Sequence, residues 1–347
     1  MTAESTSQMT PAQMRRSARP LRLLWLAPAL AALLLTALLS LRLGSHPVQS
    51  LDLWRALTAF DPGLADHVVI RQIRLPRLVA ALLCGGCLGV AGALMQALTR
   101  NPLADPGLLG VNAGAALGVV LSTFLLRISD PAQFFWSALG GASLAALVVF
   151  LLAGRTPSKT GRLILAGAAV SALFFALIRA LLLMSRSSLE VYRIWVLGGF
   201  DNVTLEMVSA LAPFLAGGFL LALASGFGLN ALQLGESTAR SLGVRVGLLQ
   251  ALTGLAIVTL CAASVAMAGP IAFVGLIVPH LARTTAPADM RWLTLYCALY
   301  GAILMGLADL VARTPLFGGH MQAGVMSAIL GGPVLIWLVR SKGVRRL

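Results

Sequence analysis

Residues 74–118 read RLPRLVAALLCGGCLGVAGALMQALTRNPLADPGLLGVNAGAALG, and their pattern decides the architecture. An Arg74-Leu-Pro-Arg77 step precedes an apolar run long enough to cross a bilayer, for which about 20 residues suffice. The run closes on Gln96-x3-Arg100-Asn101-Pro102. Lipid does not tolerate such a break, because freed backbone groups find no water in hydrocarbon, so the break must be buried in protein. Gly85 and Gly89, then Gly110, Gly114 and Gly118, recur every fourth residue. That spacing predicts seams where helix backbones approach closely without any hydrophobic drive between them.

Working outward, the 347-residue chain is 58% hydrophobic and only 11% charged, against about 25% charged in soluble domains. Its length allows about nine to eleven spans. Apolar runs fall at 23–41, 75–98, 107–126, 134–153, 162–184, 206–225, 247–267, 271–284, 291–311 and 323–340. We expect an all-α polytopic membrane protein of about ten transmembrane helices, with a single domain over 21–347 behind a disordered cytoplasmic tail, 1–20. Arg15, Arg16, Arg19 and Arg22 before the first run resemble a signal peptide. The run is long enough to span and no small-residue cleavage site follows, so it reads as an uncleaved first helix with its N-terminus inside. The run at 271–284 is short, preceded by Gly269-Pro270 and expected to be interrupted at Pro279-His280.

The net charge of +14 does not signal nucleic acid, because the Lys and Arg residues flank apolar runs instead of interleaving with stacking aromatics. With ten spans both termini are cytoplasmic, and Arg100, Arg162, Arg240, Arg245, Arg283 and Arg340 fall inside, as the positive-inside rule requires. Arg71, Arg74, Arg77, Arg127, Arg186, Arg193 and Arg313 fall outside. An outward basic surface suits a soluble acidic partner, whereas the plainer reading has these arginines snorkelling to membrane lipid phosphates. Cys84-Gly-Gly-Cys87 has redox spacing but lies inside an apolar helix, where packing is its expected role.

No catalytic constellation is apparent, so the chain is not expected to be an enzyme or to hold a cofactor or metal. Gly154-Arg-Thr-Pro-Ser-Lys159-Thr160 superficially resembles a phosphate loop but lacks the glycine before its lysine. Ion-coupled transport needs a midplane carboxylate, and Asp105, Asp201, Glu206, Glu236 and Asp309 are assigned near helix ends. Energy must then come from another subunit. The amphipathic stretch Gln233–Gly243, in the longest cytoplasmic loop, predicts short helices broken at Gly243 that a cytoplasmic motor could push.

RLPR, QALTRNPLADPGLLG, LGESTARSLGV, AGPIAFVGLIVPHLAR and GVMSAILGGPVLIWL, in this order from about Arg71 to Arg340, together resemble the FecCD-type permeases of binding-protein-dependent ABC importers, whose cargoes include cobalamin, haem and ferric siderophores. The resemblance implies the type II importer architecture in a bacterial inner membrane. It also implies a second permease subunit, identical or paralogous, two cytoplasmic ABC ATPases and a periplasmic substrate-binding protein. Residue by residue, it assigns ATPase coupling to Gly235, Glu236, Ala239, Arg240, Leu242 and Gly243. Binding-protein docking goes to Arg74, Arg77 and Arg313, and a cytoplasmic gate to Thr160 and Gly161. Gln96, Asn101, Pro102, Arg179 and His320 are expected along the translocation path. Where similar proteins often read Glu-Leu-Pro-x-Gly, this chain reads His320-Met-Gln-Ala-Gly324, losing a carboxylate and a rigid proline. Arg179, a cation near the outer end of its helix, fits an anionic ferric chelate or a haem propionate better than a neutral corrinoid, the equal alternative being a partner on a neighbouring helix.

Overall fold

A computed structural model of the chain describes residues 24–44, 50–128, 131–154, 159–314 and 321–342. The expected tail, 1–20, lies outside the described residues. All ten apolar runs fold as helices. Helix α1 spans Leu26–Arg42, α2 Ser50–Thr58 and α3 Ala65–Val68, which passes through a π-helical turn, Val69–Arg74, into α4, Leu75–Thr99. A 3-10 turn, Pro106–Leu109, leads to α5, Val111–Leu126, followed by α6, Pro131–Ala153, and α7, Lys159–Met184. Then come α8, Arg186–Trp195; α9, Leu205–Gln233; α10, Glu236–Ser241; α11, Val246–Ala268; α12, Val274–Thr285; α13, Met290–Ala312; and α14, Ala323–Lys342.

Among the described residues, six helical stretches are long and apolar enough to cross a membrane: Ala65–Thr99, Gln133–Ala153, Gly161–Met184, Leu205–Gln233, Val246–Ala268 and Met290–Ala312. Helices α1, α5 and α14 contain shorter apolar stretches. The chain is thus an all-α polytopic membrane protein. Helix α4 is its axis, with 83% of its most apolar window buried, and it packs against α9, α11, α12 and α13. Helix α7 is the opposite case, with only 22% of its window buried.

The glycine spacing explains how α4 can be central. Gly85 and Gly89 lie against the backbone of Gly301 and Cys297 on α13, and Gly92 lies against Gly275 on α12. A methyl group at any of the three would overlap a carbonyl of the neighbouring helix, so only glycine permits these crossings. Gly114 and Gly118 similarly seat α5 on Gly141 and Ser137 of α6. Gly110 departs from the expected seam: at φ +74° it caps the start of α5, a left-handed conformation that glycine adopts freely.

Helix α12 also differs from expectation. It runs unbroken through Pro279. A proline inside a helix has no N–H for the carbonyl four residues earlier, here that of Gly275. Gln96 of α4 supplies the donor, its Nε2 lying 3.4 Å from the Gly275 and Leu276 carbonyl oxygens. A side chain of the neighbouring helix thus satisfies the carbonyl that the helix leaves open.

Candidate functional site

Two polar clusters lie near the two ends of α4. Arg77 and Gln96 are 19 residues apart, about 28 Å along a helix. At the Arg77 end, the Arg74 guanidinium donates to the carbonyls of Leu41 at 2.7 Å and Arg42 at 3.0 Å, the last residues of α1. The C-terminal carbonyls of a helix have no intrahelical donors, and a cation there also complements the dipole. Arg313, just beyond α13, reaches the same helix end through Ser40, with Nη2 2.6 Å from the hydroxyl.

Asp309 sits between the remaining partners. Arg77 Nε donates to its Oδ1 at 2.8 Å, and Arg313 Nε lies 3.1 Å from its Oδ2. Its side chain is 1% exposed. Arg77 Nη1 also pairs with Asp201, in the loop between α8 and α9, whose side chain is 47% exposed. That loop is tied to two further helices, since Gly199 donates to the Ala268 carbonyl at 2.7 Å and Gly324 donates to the Gly198 carbonyl at 2.8 Å. Three guanidiniums and two carboxylates therefore join α1, α4, α13 and the α8–α9 loop.

In this conformation Arg74, Arg77 and Arg313 turn inward. All three are buried, because each guanidinium finds its acceptors inside the chain. The arginines exposed on this basic set are Arg71, Arg127, Arg186 and Arg193. The only sequence signal of Asp309 was its four-residue spacing to Arg313.

At the Gln96 end, Arg283 Nη1 donates to Gln96 Oε1 at 2.6 Å. Asn101 folds the break into a turn by accepting from the Leu103 amide at 2.9 Å. The Pro102 carbonyl lies 3.2 Å from His280 Nε2, which must donate there because a carbonyl only accepts. In this conformation Gln96 and Pro102 face the protein interior. Both are buried, and their polar atoms hold the α4 break against α12.

Arg179 lies apart from these clusters, exposed on α7 among the exposed Leu173, Phe175, Leu177 and Leu183. Gly161, at the start of α7, has open space where a Cβ would stand. The Thr160 side chain and all of His320 lie outside the described residues.

The α9–α11 connection builds the third feature. Gly235 at φ +118° and Gly243 at φ +80° bracket α10. Both angles favour glycine, so the sequence LGESTARSLG makes a short rigid helix between two glycine corners. Ala239 faces the body and is fully buried, while Leu242 is 58% exposed. Glu236 and Arg240 pair across one exposed turn at 3.4 Å.

Comparison with known proteins gives consistent relatives. Residues 32–341 match the FecCD transport family. The ferric enterobactin transport system permease protein FepD of Escherichia coli (strain K12) is 41% identical over 321 residues, 91% of this chain and 95% of that one. The vitamin B12 import system permease protein BtuC of Yersinia enterocolitica is 37% identical over 348 residues, 99% of this chain and 100% of that one. A solved structure described as an inward-facing conformation of a metal-chelate type ABC transporter has a TM-score of 0.78 and 30% identity, covering 91% of this chain and 98% of the other.

Proposed function

The chain belongs to the FecCD transport family, and from that premise we propose that it passes a ferric siderophore from a periplasmic binding protein through a bacterial inner membrane to the cytoplasm. It acts as one of two permease subunits above two ABC ATPases, with residues 21–347 forming a single ten-helix domain of type II importer architecture. Both termini face the cytoplasm, so the Arg77 end of α4 is periplasmic and the Gln96 end cytoplasmic.

The observation that carries this reading is α10. Its half-exposed Glu236 and exposed Arg240 and Leu242 form a contact surface for an ATPase, its buried Ala239 anchors it to the bundle, and Gly235 and Gly243 let it tilt as a unit. ATP binding would move this lever and shift the population between outward- and inward-open states. The opening of α7, Thr160-Gly161, is the proposed cytoplasmic gate, and the little-buried face of α7 carrying Arg179 meets the second subunit across the path.

An acidic binding protein docks on the opposite end through the exposed Arg71, Arg127, Arg186 and Arg193. A carboxylate reaching Arg77 must displace Asp201, the half-exposed member of the cluster. The cationic Arg179 favours an anionic ferric chelate, and cobalamin or haem transport is the competing reading within the same family. The test is ATP-dependent uptake into proteoliposomes holding the chain, its ATPase and its binding protein. Accumulation of a ferric chelate, reduced by Arg179→Ala, supports the reading; accumulation of cobalamin or haem alone overturns the cargo assignment.

A further inference from the structure

A cavity of about 460 Å3 opens near the Gln96 end of α4, where four membrane helices terminate. Leu98 and Thr99 from the last turn of α4, Phe150 and Ala153 from the end of α6, Leu163 from the start of α7, and Leu248 from the start of α11 line it. Its polar side chains are already engaged. Thr99 donates to the Met95 carbonyl at 2.7 Å, and Gln250 has an interaction of its own. The interior therefore presents apolar surface to whatever fills it.

The mouth and its surroundings specify the occupant further. Gly154 and Gly247 line the cavity and, among the described residues, have no atom within 4 Å of where a Cβ would stand. Leu152 and Leu248, beside or at the lining, are 63% and 53% exposed, so apolar surface continues outward from the recess. Arg100, Arg162 and Arg245 are exposed and lie one or two residues from lining positions Thr99, Leu163 and Gly247. An apolar recess between helix ends, with exposed arginines next to its lining residues in the chain, matches an amphipath with an anionic head.

We propose that this cavity is a binding site for an anionic phospholipid of the cytoplasmic leaflet, one acyl chain filling the recess and the phosphate meeting Arg100, Arg162 and Arg245. The physical reasons are two. Apolar walls without a filler forfeit dispersion contacts, and an acyl chain is the apolar filler at hand in a bilayer. Basic pockets between helices on the cytoplasmic side attract anionic headgroups, at roughly 1 kcal/mol per arginine near the surface, about fivefold in affinity. The site adjoins the start of α11, directly after the α10 lever, so an occupied cavity brings the lipid beside the segment that the ATPase moves. The orientation rests on the importer reading.

The test uses the purified, delipidated full chain with dioleoyl phosphatidylglycerol, dioleoyl phosphatidylcholine or inorganic phosphate, reading the melting midpoint and retained lipid by native mass spectrometry. The site predicts that phosphatidylglycerol raises the midpoint and is retained, while phosphatidylcholine and phosphate do neither. Arg245→Ala lowers retention about fivefold, and Gly247→Trp, which enters open space at the rim, lowers it without unfolding the chain. Equal retention of phosphatidylcholine, an equal effect of phosphate alone, or undiminished retention by both variants overturns the proposal. ATP-driven uptake by the wild-type chain in the same lipids tests the importer reading separately, since its absence leaves the retention result standing.

Discussion

The Arg77–Asp309–Arg313 cluster and the Glu236–Arg240 pair use the same chemistry in opposite surroundings. In the first, Asp309 is 1% exposed with a guanidinium on each side; in the second, the two side chains are 36% and 66% exposed and pair at 3.4 Å. Water screens the exposed pair, whereas the buried Asp309 carboxylate depends on its two arginines for compensation. Burial thus assigns one ion cluster to holding the fold and leaves the other free to contact a partner.

The largest break in this contrast is Asp309→Ala. It leaves Arg77 and Arg313 facing each other with only the half-exposed Asp201 to compensate, and we expect a loss of about 3–5 kcal/mol, visible as a much lower melting midpoint of the purified chain in detergent. Gln96→Leu comes next. It strands the Gly275 carbonyl and removes the acceptor of Arg283, costing about 1–3 kcal/mol in the same melt, although no charge is removed at position 96.

Asp201→Asn sharpens the comparison, because its carboxylate is half in water and Arg77 keeps Asp309. The expected stability loss is about 1 kcal/mol or less. Binding-protein affinity, measured by surface plasmon resonance at low salt, should rise as the internal competitor for Arg77 is removed. At the small end, Glu236→Ala and Arg240→Ala should each change stability by no more than about 0.5 kcal/mol.

These residues also mark where the sequence was legible. The apolar runs and their four-residue glycine spacing sufficed to place ten helices and close-packing seams on α4 and α5, because hydrophobic length and small-residue seams are local patterns, whereas the partners α13 and α6 come from the fold. Gly110 misled by sharing the spacing while serving as a cap, a distinction that depends on backbone angle and not on residue type. The same limit applies to Pro279, whose helix survives because Gln96, 183 positions earlier, satisfies the open carbonyl. The LGESTARSLG segment was readable as short helical structure broken at Gly243, since that φ requirement is written in glycine itself, while the matching corner at Gly235 comes from the structure. Arg74, Arg77 and Arg313 were legible as a basic set but not as inward-facing, because their acceptors come from α1, α13 and the α8–α9 loop.

The most direct measurement is ATP-driven uptake by the Glu236→Ala chain reconstituted with its ATPase and binding protein, alongside its melting midpoint. The lever predicts a wild-type midpoint with uptake lost. Uptake at the wild-type rate would contradict it and remove α10 from the coupling path.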